Sequence, residues 1–312
     1  MKTKLFLLVH LTIFSVSAQH EITPVFPKIM KQFPNVRDLA IAPNGDEIMF
    51  SAQSVMGNLS SIISVKKKHD TWQSPQVASF SGKHFDLEPF FSHDGLKLYF
   101  VSTRPLVDTT LVAKDFDIWY VERSDLNQGW SKPKNMGPPI NTEHGEFYPS
   151  IANNGNLYFT RDNPTLKRRD DIYMSPYVNG EYEKAIALND SINSDGYEYN
   201  AFIAPDESYL IFGCYNREDG LGSGDLYISY RSKSGWSTSQ NMTKPINSEK
   251  MDYCPFIDSK TQTLYFTSKR DNTTTSFKKP IDIDALKNEF ERYDNGASRI
   301  YKTHFNLDTL KH

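Results

Sequence analysis

Four carboxylates stand at matched places along this chain, Asp86, Glu146, Glu198 and Asp252, and each is followed one hairpin later by an arginine: Arg104, Arg161, Arg217 and Arg270. A carboxylate and a guanidinium at matched positions form charge-assisted, often bidentate pairs. As a set, such pairs either fasten repeated units together or make a ring of charge that faces a ligand. Aromatic residues stand beside the same acids, among them Tyr148, Tyr199 and Tyr253, and flat ring faces suit stacking against a sugar or a peptide. These acids, arginines and tyrosines are the candidate binding surface. Glycosidic cleavage needs two carboxyl groups ~5–9.5 Å apart, which a channel lined with acids can offer. Residues that recur from unit to unit nevertheless point to a structural cause, because catalysis relies on a few unique groups. The sequence therefore predicts a non-enzymatic binding module with no catalytic residue assigned. The alternative is a carbohydrate-active enzyme, a glycoside hydrolase or polysaccharide lyase, that uses acids of the channel.

Other chemistry is weaker. Glu143-His144-Gly145-Glu146 offers a histidine as base or ligand, but a single His in a polar loop is ordinarily surface. The eight His never fall in an HExxH or related ligand spacing, so no metal and no cofactor are assigned. Gly220-Leu-Gly-Ser-Gly224 joins two strands and opens no helix, so it lacks the anion-binding geometry of a helix N-terminus. Flanked by Asp219 and Asp225, it reads as a turn or, alternatively, a Ca²⁺ loop. Cys214 and Cys254 read as two buried thiols or a disulfide.

The elements that position these residues repeat. Asp117-Ile-Trp, Asp171-Ile-Tyr and Asp225-Leu-Tyr recur at a period of about 54 residues, the mark of an array of one small unit. Each is followed by an aromatic, Trp130, Tyr182 or Trp236, then by Ile140-Asn-Thr, Ile192-Asn-Ser or Ile246-Asn-Ser, and then by the acid. In the clearest unit, Pro89 to Ser92 and Leu98 to Ser102 form a hairpin around His93-Asp-Gly95, whose glycine supplies positive φ. Asp117 to Arg123 is the third strand and Trp130 to Met136 the fourth. Four antiparallel strands per unit make the blade of a β-propeller. The phenylalanines that end the second strands, Phe50, Phe100, Phe159, Phe212 and Phe266, count five blades; six is the alternative. The first blade departs from the pattern, with Val36 at the acidic position. The last blade lacks a fourth strand, and Ile22 to Ile29 is expected to supply it, closing the ring with the two chain ends and removing an open sheet edge. An insertion, about residues 272–296, contains an amphipathic helix over Ile281 to Arg292 with Ile283, Leu286 and Phe290 on one stripe, expected to pack on the rim of its own blade or to serve as a lid or docking element.

The composite of Asp-Ile-Tyr, Gly-Trp-Ser, Ile-Asn-Thr, acid-x-x-Pro, Asp-Gly, Leu-Tyr-Phe and Ser-x-Arg resembles the TolB-like, WD-type propeller repeat of Gram-negative exported proteins, over residues 20 to 306 or so. That resemblance implies a protein-binding platform, often joined to a peptidoglycan-binding domain; nothing of that kind follows the repeats in this sequence. Lys2 and Lys4, the apolar stretch Leu5 to Val16, and Val16-Ser-Ala18 fit a secretory signal peptide over residues 1–18, with the propeller over 19–312. The expected location is the periplasm or the outside. The apolar stretch is too short for the ~20 residues that span a bilayer, and no Cys follows the cut to carry a lipid. A net charge of −3 gives no field for nucleic acid. The expected partner is an envelope protein or a glycan, bound by a monomer or by a component of an envelope complex.

Overall fold

Asn44-Gly45, Asp94-Gly95 and their counterparts turn each pair of apolar runs back on itself, and five antiparallel blades result. The computed structural model describes residues 21–107, 114–165, 170–215 and 217–306; the signal peptide reading lies outside them. The second blade runs Asp86–Phe91, Lys97–Ser102, Asp117–Glu122 and Lys134–Asn135 from the inside outward. The first has Asn35–Ile41, Glu47–Gln53, Ser60–Lys68 and Gln76–Val77, the third Gly145–Ile151, Leu157–Asp162, Asp170–Ser175 and Ile186–Ala187. The fourth has Tyr197–Ile203, Tyr209–Tyr215, Asp225–Ser232 and Gln240–Asn241. This is the expected five-bladed propeller. The five counting phenylalanines are all essentially fully buried; their burial contributes ~1.5–3 kcal/mol each.

The fifth blade is completed by the other end of the chain. Asp252–Asp258, Thr263–Ser268 and Arg299–His304 are followed in the sheet by Thr23–Pro24, with Thr23 opposite Lys302 and Pro24 opposite Tyr301. The Val25 amide continues the ladder to the Ile300 carbonyl at 3.0 Å, and Val25 and Met30 are buried. The pairing is shorter than the expected Ile22 to Ile29, because Pro27 opens a helical turn, Pro27–Met30, and proline suits the first position of a helix rather than a ladder. The fourth strands are likewise short. In the second blade, Pro133, Pro138 and Pro139 lack amide donors, so only Lys134–Asn135 pair, and Trp130 leaves the ladder to pack on Phe80 beneath the Arg123 guanidinium.

The repeated motif is a joint between blades. Asn141 accepts from the Ile118 amide and donates to the Ile118 carbonyl, at 3.0 and 2.9 Å, so its carboxamide acts as one more residue of a ladder against the third strand. Asn193 does the same to Ile172 and Asn247 to Leu226. The hydroxyl that follows, on Thr142, Ser194 or Ser248, donates to the acid that opens the next inner strand. Arg161 Nε meets Glu146 at 2.8 Å while its Nη2 donates to the Ile140 carbonyl; in Arg104, Arg217 and Arg270 the Nη2 serves both the acid, Asp86, Glu198 or Asp252, and a carbonyl, that of Phe80, Ile192 or Ile246. Each guanidinium also lies over an aromatic ring, as Arg217 does 4.5 Å from the Tyr227 centroid. The seam between the fifth and first blades is different: Val36 replaces the acid, and Arg299 reaches forward to the Phe33 and Pro34 carbonyls.

The insertion contains a helix, Ile283–Phe290, capped by Asp282 accepting from the Ala285 amide. None of its residues is buried: of the apolar stripe, Ile283 and Phe290 are exposed and Leu286 is half-buried.

Two stability experiments follow. Arg161→Ala strands a fully enclosed carboxylate, a loss of ~3–5 kcal/mol, whereas Lys134→Ala removes a pair whose partners are half exposed, a loss of ~0.2–1 kcal/mol. Thermal melting should rank them in that order, and equal shifts would remove the structural role from the joint. Deleting residues 20–30 takes away the closing strand with Val25 and Met30, so the truncated chain should aggregate or melt early; deletion of 272–296 should be milder. A truncated chain that stays monomeric with an unchanged melting temperature would contradict closure.

Candidate functional site

Every inner strand has one irregularity, at the same place. The register with the second strand slips between Arg37 and Ala40, Leu87 and Phe90, Phe147 and Ser150, Tyr199 and Phe202, and Tyr253 and Phe256. Within each slip one residue takes a left-handed backbone: Asp38, Glu88, Tyr148, Asn200 and Cys254, with φ between 52° and 61°. Such a bulge re-aims a side chain, and a non-glycine residue in that region costs ~1–3 kcal/mol. All five side chains are buried in the channel.

The bulge amides need partners there. Hydroxyls on the second strands supply three: Thr267 for Asp38, Ser51 for Glu88 and Thr160 for Asn200. In the second blade that position is Val101, and the Tyr148 amide donates instead to Glu88 Oε2 at 2.7 Å.

The five bulge residues and Arg37 form one network. Arg37 Nε donates to Asp38 Oδ1 at 2.6 Å, and its Nη2 to Glu88 Oε1 at 2.7 Å. The Cys254 thiol donates to Asp38 Oδ1 at 2.7 Å, Asn200 Nδ2 to Glu88 Oε1 at 3.1 Å, and the Tyr148 hydroxyl to the Pro255 carbonyl at 2.9 Å. Burial pushes Glu88 up to about 7, against the pull of Arg37 and with the help of the Asp38 charge. Burial also pushes the Cys254 thiol well up, so it is a hydrogen-bond donor and not a thiolate. The guanidinium of Arg37 lies 5.1 Å from the Tyr253 ring centroid and keeps 17% of its side-chain surface exposed, while Asp38 and Glu88 are 1% and 3% exposed.

The residues singled out in the sequence divide between two places. Asp86, Glu146, Glu198 and Asp252, expected at a channel mouth, are fully enclosed with Arg104, Arg161, Arg217 and Arg270 in the joints. Tyr148, Tyr199 and Tyr253 do face the channel, but each is less than a tenth exposed, so they fill it rather than present open faces. Glu143 and His144 lie in a turn 3.8 Å apart, with Glu143 83% exposed. Leu221 and Gly222 cap Asp225 with their amides, and no group of three metal-ligating side chains occurs among the described residues. Cys214 and Cys254 are both free; Cys214 donates to Glu198.

The channel residues do not stand out in the sequence, because the repeated acid keeps its type from blade to blade and they do not. The informative position is two residues later in every blade: Val36 to Asp38, Asp86 to Glu88, Glu146 to Tyr148, Glu198 to Asn200, Asp252 to Cys254. Pro89, Pro149 and Pro255 follow three of them, and proline inside a strand marks a bulge.

The two ends of the channel differ. At the hairpin end a cavity of about 380 Å³ is walled by Ile41, Phe90, Ile151, Phe202 and Phe256. At the other end a cavity of about 720 Å³ has Arg37, Tyr253, Tyr215 and Arg299 in its walls. Arg37 lines this second cavity and not the first. Among the described residues no helix is long and apolar enough to cross a membrane.

No protein-family model matches the chain, and no curated protein sequence does. Among solved structures, one titled glycoside hydrolase is similar with a TM-score of 0.55 at 6% identity, covering 86% of each chain. A thermostable family-43 glycoside hydrolase is similar with a TM-score of 0.50 at 10% identity over 75% of this chain and 83% of that one. Hydrazine synthase of Kuenenia stuttgartiensis also reaches a TM-score of 0.50 at 10% identity, over 77% of this chain and 36% of that one. At such identities the likeness is one of fold: the chain is a five-bladed β-propeller.

Proposed function

We propose that the protein is a carbohydrate-active propeller working at the Arg37 end of its channel, with Asp38 and Glu88 as its paired carboxylates. The observation that carries this is the asymmetry of the ring. Five equivalent bulge positions face the channel, and only two neighbouring blades place carboxylates there. One guanidinium holds both, at 2.6 and 2.7 Å, so two carboxyl groups stand side by side in the channel, and a pair of carboxyl groups is what glycoside hydrolysis uses as its acid and its partner.

Their surroundings assign different roles. Glu88, pushed up to about 7, holds a proton near neutrality and is the donor to a leaving oxygen. Both carboxyl groups accept from donors, Asp38 from Arg37, the Cys254 thiol and the Glu88 amide and Glu88 from Arg37, Asn200 and the Tyr148 amide, so the role of base or nucleophile falls to Asp38 because Glu88 holds the proton. Both lie beneath Arg37, so a substrate reaches them as that side chain gives way into the larger cavity. The glycoside hydrolase titles of two propellers of similar fold support the reading.

A second reading is a TolB-like platform, exported to the cell envelope, that binds a protein or glycan without turnover. The enclosure of Asp38 and Glu88 under a shared arginine favours it, since a resting enzyme more often leaves its carboxylates open to substrate. A panel of arabinan, xylan and uronic-acid polysaccharides, assayed for new reducing ends or unsaturated products, separates the two. Product release that Asp38→Asn and Glu88→Gln each abolish, with melting unchanged, supports the enzyme. Binding on a glycan array with no product from any substrate supports the platform.

Glu88 also sets a pH dependence of stability. Its folded value, about 7, lies above the ordinary 4.5, so the native state holds an extra proton between those values and its stability falls as pH rises across them. Denaturant unfolding at pH 5 and pH 8 should show the wild type losing ~1–4 kcal/mol relative to Glu88→Gln over that window. Parallel pH profiles for the two proteins would place the Glu88 proton elsewhere.

A further inference from the structure

The larger cavity contains positive charge without its complement. Arg37, Lys269 and Arg299 all line it, and no Asp or Glu does. Arg37 has its carboxylates below it. Arg299 has none: it is 6% exposed, its Nη1 is spent on the carbonyls of Phe33, Pro34 and Ser298, and its Nε has no partner at all. Lys269 stands exposed at the rim and makes no ion pair among the described residues. A guanidinium nine-tenths buried against carbonyl oxygens and the Tyr293 ring, 6.0 Å from its centroid, has surrendered hydration without gaining a counter-charge. An anion in the cavity repairs that deficit.

We propose that this cavity binds a carboxylate-bearing sugar, a uronic acid residue of a glycan, with its carboxylate between Arg299, Lys269 and Arg37. The sugar part of this proposal rests on the carbohydrate reading above; the charge does not. Three features match the class. Guanidinium forks fit the planar carboxylate with two parallel hydrogen bonds. Val55 and Met56, 75% and 80% exposed on the hairpin that also lines the cavity, offer an apolar surface for a ring face. A volume of about 720 Å³ is in the range of sites that take a small ligand. The same carboxylate competes with Asp38 and Glu88 for Arg37, so binding draws the guanidinium upward and uncovers the channel pair: the anionic group of the substrate would itself open the site.

The test is titration calorimetry on the full chain with a uronic acid oligosaccharide, a neutral oligosaccharide of the same length, a sulfated one, and inorganic phosphate, at low and high salt. The acidic oligosaccharide should bind at least tenfold more tightly than the neutral one and weaken with salt. Lys269→Glu, at an exposed position that leaves melting unchanged, should cost the acidic ligand tenfold or more and the neutral one nothing; Arg299→Met should act in the same direction. Neutral and acidic sugars binding alike, or Lys269→Glu without effect, overturns the anionic cavity while leaving the carbohydrate reading in place. Phosphate or sulfated sugar binding as tightly as the uronate overturns the carboxylate assignment. A simple carboxylate such as glucuronate binding Lys269-dependently, with no oligosaccharide binding above it, retains the anion site and ends the carbohydrate reading.

Discussion

The buried carboxylate that opens the inner strand is the interaction on which the ring depends. A propeller blade can bury its flat faces against its neighbours by apolar packing alone, as the enclosed Phe50, Phe100, Phe159, Phe212 and Phe266 do. Apolar contact is non-directional, though, and does not fix how far one blade turns relative to the next. The joint does. Arg161, the Thr142 hydroxyl and the Ile140 carbonyl meet at Glu146, so the chain crossing between blades and the two strands it joins are held by hydrogen bonds of fixed direction. Burial raises the cost of leaving any one of them unmade, and Glu146 and Asp252 are both pushed up by that burial in spite of their arginines.

With the blades fixed, the channel becomes the place where the copies are free to differ. The joints repeat Asp or Glu, Asn, and Thr or Ser with little change, whereas the five bulge positions hold Asp, Glu, Tyr, Asn and Cys. Each left-handed residue stores strain that the surrounding ladder must offset, and three of the five, Glu88, Tyr148 and Cys254, are not Gly, Asn or Asp, the residues that tolerate it best. The second-strand hydroxyls of Ser51, Thr160 and Thr267 satisfy bulge amides, so the strain is supported by the neighbouring blade. Where Val101 removes that support, Glu88 supplies it, and this ties a channel carboxylate to the integrity of the third blade as well as to Arg37.

The seam between the chain ends is the exception that makes a site. Four seams neutralise their arginine with an acid in the same joint. The fifth has Val36 at the acidic position and Arg299 reaching only carbonyls, and it is there that the insertion and the Val55–Met56 hairpin enlarge the mouth into the wider cavity. The helix Ile283–Phe290 has Ile283 and Phe290 of its apolar stripe exposed and none of its residues buried.

The period of about 54 residues, the turn signals and the phenylalanines were enough to determine five four-stranded blades, and the absent last strand was enough to predict closure by the N-terminal segment. These features are local, or repeat at fixed spacing, so one chain read in order displays them. The acid–arginine pairs were legible for the same reason, as residues that keep step with the repeat. The constellation of Arg37, Asp38, Glu88, Asn200 and Cys254 was not, because it takes residues from four blades, far apart in sequence and unlike one another. Only closure of the ring brings them within hydrogen-bonding distance, and only the left-handed bulges turn them inward, away from the faces that simple strand alternation assigns. The same holds for Arg299: its sequence position says that it begins a third strand where other blades have Asp117, Asp171 and Asp225, and the tertiary structure alone leaves its charge without a partner at the mouth of the channel.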